Sequence, residues 1–185
     1  MDRREAVTIL CERVMKDPDN RPEYLTPSLM WKKRRYYRFL ALLAQEMQPD
    51  LIVELGTNNG AGALHFKWGW PEADVVTIDI IQKPQTVKLL LKYGVTPIQG
   101  DSIASAPQIT IPIDILFIDA SHEYGAVMNE LEAYLPRMGP GGVICFDDIE
   151  LNDGMKKAWA EASGGEKIEL NELHLPSGFG VMVID

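Results

Sequence analysis

The run Leu51-Ile-Val-Glu-Leu-Gly-Thr-Asn-Asn-Gly-Ala-Gly62 constrains this chain more than any other. Five residues suited to a buried strand meet a glycine-rich turn, and a helical pattern, Ala61–Trp68, opens behind it. A strand buried on both faces belongs to a parallel sheet, whose next strand is reached through a crossover. Gly56 and Gly60 give the turn backbone freedom, so N–H groups approach a ligand without side-chain obstruction. In such sheets, ligands bind beyond the carboxyl ends of the strands, where strand order reverses. The turn therefore predicts a nucleoside cofactor at that edge, with Glu54, Gly56, Thr57 and Gly60 around it.

The rest of the chain alternates strand and helix signals. Residues 4–16 are amphipathic, the stretch Asp17–Pro27 carries three prolines, and a second helix is expected from about Ser28 to Met47. Strands are expected at Leu51–Leu55, Val75–Ile80, Val95–Gln99, Ile113–Ile118 and Gly142–Phe146. Helices are expected from Gly60 and over Gln85–Tyr93, Gly125–Leu135 and Asp153–Ala162. Lys167–Leu170 and Gly180–Ile184, joined by a turn with Pro176 and Gly178, close the series as a hairpin-like pair. This order predicts an α/β, Rossmann-like, doubly wound and mostly parallel seven-stranded sheet with one antiparallel edge strand. The organisation expected is a helical cover over 1–48 and one α/β domain over 49–185, which is enough chain for a single sizeable core.

Charge narrows the partners. Residues 1–48 hold 10 basic and 7 acidic side chains, whereas residues 49–185 hold 8 and 20. An acidic body repels a long polyanion, which argues against nucleic acid as the main substrate. The basic, aromatic run Lys32–Arg38 is the exception. It either grips a phosphate or forms a helix with its cations in water and Trp31, Phe39, Leu42 and Leu43 packed inward; packing is the favoured reading. No apolar run approaches the roughly 18–20 residues that cross a bilayer, and no signal-peptide core is read at the start. Cys11 and Cys145 sit far apart in apolar contexts, as reduced structural thiols do, so a cytoplasmic location is expected.

The strand ends supply the chemistry. The second strand ends in Asp79, 23 residues after Gly56, where a carboxylate suits the two hydroxyls of a ribose. The third is followed by Asp101 and Ser102, placed to meet an adenine edge. The fourth ends in Asp119, with His122 three residues on, and the fifth in Asp147-Asp148. If the fourth and fifth strands are neighbours, they lie about 5 Å apart and these acids project into one small volume, where close like charges raise each other's pKa unless a cation neutralises them. A hard divalent ion such as Mg²⁺ takes such oxygen ligands, which makes Asp119, Asp147 and Asp148 candidate metal ligands. The bland alternative has Asp119 touching the cofactor or a loop amide while Asp147 or Asp148 caps a helix. His122 is placed to act as a general base on a substrate hydroxyl. His65 and His174 lack that context and read as structural, with His174 a remote candidate for the site rim.

The segments Asp114-Ile-Leu-Phe-Ile-Asp-Ala-Ser-His-Glu-Tyr124 and Leu135-Pro-Arg-Met-Gly-Pro-Gly-Gly-Val-Ile-Cys-Phe-Asp-Asp148 carry a family resemblance. Over roughly Asp50 to Asp185 the chain resembles the class I S-adenosylmethionine-dependent methyltransferases. It is most similar to the small-molecule O-methyltransferase branch with macrocin- and cephalosporin-hydroxylase-like proteins. The resemblance implies that Glu54, Gly56 and Gly60 contact the cofactor's amino-acid end, that Asp79 holds the ribose, and that Asp101 and Ser102 lie near the adenine. It also implies Asp119 and Asp148 as metal ligands, with Asp147 a candidate, and His122 as the base. Asn58 replaces the middle glycine of the commoner motif, Ala120-Ser121 replaces Gly-Asp, and Asp147 stands where relatives often have histidine. The expected activity is metal-assisted O-methylation of a small hydroxylated acceptor. The site is expected to be partly open, and closed by the N-terminal helices or by a second subunit in a homodimer. Two other readings share the fold: a nicotinamide-dependent oxidoreductase, which wants a fuller glycine motif, and a non-catalytic nucleoside-binding or oligomerising module.

Overall fold

The computed structural model describes residues 3–16 and 35–185. Helices α1 (Arg3–Lys16) and α2 (Tyr36–Met47) lead into β1 (Leu51–Leu55), α3 (Ala61–Gly69), β2 (Asp74–Asp79), α4 (Pro84–Lys92) and β3 (Val95–Gln99). A one-turn helix α5 (Ser102–Ser105) follows, then β4 (Ile113–Ile118), α6 (Tyr124–Tyr134), β5 (Met138–Asp147), α7 (Asp153–Glu161), β6 (Gly165–Glu169) and β7 (Phe179–Ile184).

The strands form one sheet in the order β3-β2-β1-β4-β5-β7-β6. Strands β1 to β5 pair in parallel, and β7 pairs antiparallel with both β5 and β6. The expected seven-stranded, mostly parallel α/β sheet is therefore present. Its reversed strand lies one place inside the edge expected for it. The chain leaves β5, crosses through α7 to the outermost position as β6, and returns through residues 170–178 to fill the gap as β7.

Strand side chains alternate between two cores, one on each face of the sheet. Ile52, Val75, Ile115, Phe117, Cys145 and Val181 pack with α1, α2, α3 and Leu90 of α4. Leu51, Val53, Leu55, Leu116, Ile118, Ile144 and Phe146 pack with α6 and α7. Both faces being covered, every residue of β1 is buried. Cys11 and Cys145 are buried free thiols, and no helix of the described residues is long and apolar enough to cross a membrane.

Two local expectations need correction. Strand β5 begins at Met138 rather than Gly142, because Gly139-Pro140-Gly141-Gly142 forms an irregularity. Ile113 pairs with Met138, but Ile115 pairs with Val143. In the basic run, Arg38 does not face water: it is buried, and its guanidinium Nη1 lies 3.4 Å from the Val14 carbonyl of α1. Tyr36, Tyr37, Phe39 and Leu43 do pack inward. The expected helical stretch 28–34, with Trp31 and Lys32–Arg34, lies outside the described residues, as does the proline-rich break at 17–27.

Candidate active site at the carboxyl edge

Strand order reverses between β1 and β4, and the glycine turn sits at that seam. Gly56 has φ +99°, and a Cβ there would lie 2.1 Å from the Asp119 carbonyl oxygen. Only glycine lets the ends of β1 and β4 approach so closely. Gly62 plays a related part inside α3, where a Cβ would meet Glu54 Oε1 at 2.0 Å. The Glu54 carboxyl thus fits beneath the start of the helix, bonded to the Ala63 amide and to the Thr77 hydroxyl at 2.5 Å. Burial pushes Glu54 up to about 8, against the opposing pull of these hydrogen bonds. The polar chain continues from Thr77 to the Thr57 hydroxyl at 2.8 Å, and the Gln82 amide donates to Thr57 at 2.8 Å.

The acids of β2 and β3 hold the local backbone. Asp79 accepts from the Asn58 and Ile81 amides, both at 3.0 Å, which pins the glycine turn to the end of β2. Asp101 caps α5 by accepting from the Ala104 amide at 2.8 Å. The Ser102 hydroxyl donates to Glu130 Oε1 of α6 at 2.6 Å. Gly60, also expected as a ligand contact, has φ +79° at the start of α3 and packs against Leu90, where a Cβ would come within 2.8 Å.

At the ends of β4 and β5 the acids face one another. His122 Nε2 lies 3.0 Å from Asp148 Oδ2 and 3.8 Å from Asp119 Oδ1. His174 Nδ1 lies 2.7 Å from Asp147 Oδ1 and 3.4 Å from Asp148 Oδ1. Burial lifts the Asp119 carboxyl well above the usual carboxylate range, and the charges of Asp147, Glu54 and Asp148 lift it further. Burial also works upward on Asp148. Its hydrogen bond to His122 and the charges of His174 and His122 nevertheless hold that carboxyl below its ordinary value. Asp148 has φ +58°, a left-handed backbone that turns its side chain back toward this cluster.

Asp147, Asp148 and His174 offer ligand atoms that all lie within 4.8 Å of one another. The tight group thus includes His174, read from the sequence as structural, while Asp119 borders it through its hydrogen bond with Asp147. A signal for His174 was available. A strand running antiparallel to its neighbours starts at their carboxyl edge, so the turn before β7 has to lie beside the site.

A cavity of about 910 Å³ follows this edge, lined by Glu54, Gly56, Thr57, Asp79, Asp101, Ser102, Asp119, His122 and Asp148. Its volume is in the range of small-molecule sites. Tyr37 of α2, Lys83 and Glu130 also line it; sequence reasoning gave Lys83 and Glu130 no role, and Tyr37 only a place in the basic, aromatic run. They come from elements whose facing is set by tertiary packing rather than by position at a strand end.

A family model described as a methyltransferase domain matches residues 53–149, from β1 through the acids after β5. The match takes in more than half of the chain. This protein belongs to that methyltransferase family. The methyltransferase shares its fold with PaMTH1 of Podospora anserina, solved with SAH bound, at a TM-score of 0.74 and 17% identity, covering 100% of this chain and 97% of that one. It is similar in the same way to the O-methyltransferase TomG of Streptomyces achromogenes, solved in complex with SAM, at a TM-score of 0.71 and 19% identity, with 100% of both chains covered. Among curated proteins it is 46% identical over 131 residues to R132 of Acanthamoeba polyphaga mimivirus, an uncharacterized protein, covering 62% of this chain and 59% of that one. The chain spans less than two thirds of the length of the curated relatives it matches.

Proposed function

We propose that this methyltransferase moves a methyl group from S-adenosylmethionine to an oxygen of a small hydroxylated acceptor, with a divalent cation at the β4–β5 end. The observation that carries this reading is the single cavity joining the glycine turn and Asp79 to the His122–Asp148 pair. The cofactor supplies an already activated methyl on its sulfonium, so the chain has to position the acceptor and remove its proton. Asp79 keeps lone pairs beyond the two that hold the turn, and these are open to ribose hydroxyls. His122, whose Nε2 is held by the Asp148 carboxylate at 3.0 Å, lines the cavity and is the base that takes the acceptor's proton.

A divalent cation fits the donor set of the second cluster. Asp119, Asp147 and Asp148 are crowded and shielded from water, which penalises uncompensated negative charge, and His174 adds a nitrogen within reach. Bound there, a cation would acidify the acceptor hydroxyl. A vicinal diol or catechol suits such a pair of functions.

Thermal shift with S-adenosylmethionine, S-adenosylhomocysteine, NAD and NADP, with and without Mg²⁺, tests the reading. The sulfur nucleosides should stabilise the protein, by about 2.7 kcal/mol at a hundredfold excess over Kd. Mg²⁺ should add a shift that the double variant Asp147→Asn, Asp148→Asn loses. Stabilisation by NAD alone would sink the proposal, and a Mg²⁺ shift retained by the double variant would remove the cation from this cluster.

The proposal extends to the cover and the compartment. Tyr37 on the cavity wall supports residues 1–48 as part of the acceptor pocket, completed within one chain or through a homodimer. Light scattering of the purified protein decides between these. Two buried free thiols support a cytoplasmic setting, which fractionation of the native cells would check.

A further inference from the structure

We propose that Glu130 reads the base of the nucleoside: its Oε2 accepts a hydrogen bond from the exocyclic amine of adenine, so the site selects a 6-amino over a 6-oxo purine. This deepens the cofactor reading given above and rests on it. Glu130 lies on α6 and is only 3% exposed, yet it forms part of the cavity wall. Its Oε1 is held by the Ser102 hydroxyl at 2.6 Å, and Ser102 is itself fixed by the Tyr134 hydroxyl, which donates to its carbonyl at 2.7 Å. Its Oε2 is buried and has no hydrogen-bond partner among the described residues. A buried carboxyl oxygen left in this way is costly, so a donor brought by the ligand is the natural complement.

The layout of the edge brings the base to this residue. A ribose held at Asp79 has strand ends on either side of it. On the β4–β5 side lie Asp119, Asp148 and His122, where the acceptor and the transferable methyl have to meet. The base is left with the β3 side, whose wall is Asp101, Ser102, Ile103, Ala126 and Glu130. Ile103 and Ala126 offer apolar surface to a flat ring, while Glu130 offers an acceptor. An amine donates to a carboxylate, whereas a 6-oxo group would set one acceptor against another.

Calorimetric affinities for S-adenosylhomocysteine and S-inosylhomocysteine, measured on the full chain and on Glu130→Gln and Glu130→Ala, test the proposal. The unaltered protein should prefer the adenosyl compound by about tenfold or more, the loss expected for one hydrogen bond to a charged group. In Glu130→Gln the amide can donate to a 6-oxo group, so the preference should vanish or invert. Glu130→Ala should bind the two alike. If Glu130→Ala does not fold, the nearly isosteric glutamine variant still decides. A preference that is the same in all three proteins overturns the role of Glu130 and leaves the cofactor reading intact. Failure of both compounds to bind the unaltered protein overturns both.

Discussion

At the β1–β2–β3 end of the cavity, Asp79 ties down the glycine turn, Asp101 caps α5 and Glu54 sits under α3 against the Thr77 hydroxyl. At the β4–β5 end, Asp119, Asp147 and Asp148 instead press on one another beside His122 and His174. The first group of acids is built into backbone geometry, so its shape is set before a ligand arrives. The second is a concentration of charge whose balance depends on protons and on what binds. On the proposed function, one end serves recognition and the other chemistry, although both draw on the same residue type. What separates them is the partner: backbone amides and hydroxyls in one case, other ionisable groups in the other.

The largest test of this division acts on the second end alone. His122→Ala should cut turnover by about 10²–10⁴-fold, the usual weight of a general base, while calorimetry finds S-adenosylhomocysteine affinity unchanged. Full activity in that variant would take His122 out of the chemistry, and lost affinity would mean that the two ends are not separable. The next test acts on the seam. Gly56→Ala places a methyl 2.1 Å from the Asp119 carbonyl at a backbone angle of +99°. The strained backbone alone should cost roughly 1–3 kcal/mol, with the clash in addition, in urea unfolding. Since β1 and β4 would part there, both ends should suffer together.

Taken one pH unit at a time, the smallest effect is in pH. Folding lifts Glu54 from an ordinary 4.5 to about 8, so the fold prefers the neutral acid. Its stabilising contribution is complete below pH 4.5 and is lost as pH rises toward 8. Between these limits the loss is about 1.4 kcal/mol per pH unit. Asp119, raised in the same direction, adds to the slope. Urea midpoints for the unaltered protein and Glu54→Gln at pH 5, 6 and 7 should diverge, with the variant falling less. Parallel curves would show that Glu54 titrates normally.

Much of this could be read from the sequence because the parallel sheet ties position in the chain to position in space. Strands β3 and β4 have the expected bounds, and Asp79, Asp119 and Asp148 reach the cavity because strand ends converge on one edge. Where the sequence misled, a nonlocal constraint had intervened. Gly60 reads as a ligand contact alone, but its lack of a side chain also answers to Leu90 across the α3–α4 interface. Arg38 reads as a solvent cation by its charged neighbours, yet packing of α1 on α2 brings a carbonyl to it. Glu130 is one acid on an amphipathic helix until Ser102, twenty-eight residues earlier, shows which way it faces.

The reversed strand β7 has one further consequence. Because the chain arrives along β6 and returns along β7, His174 is carried on a connection at the outer margin of the sheet, tethered to two strands that leave the glycine turn alone. The Glu150 amide bonds the Ser177 carbonyl at 2.7 Å, so this connection rests directly on the segment after Asp148. On the proposed reading, substitutions or insertions over 171–178 would reshape the acceptor side while the residues assigned to the nucleoside, from Glu54 to Glu130, lie earlier in the chain and are inherited unchanged. The sheet is in effect a socket of fixed fitting with an exchangeable rim, and the rim is where related chains can diverge in what they modify.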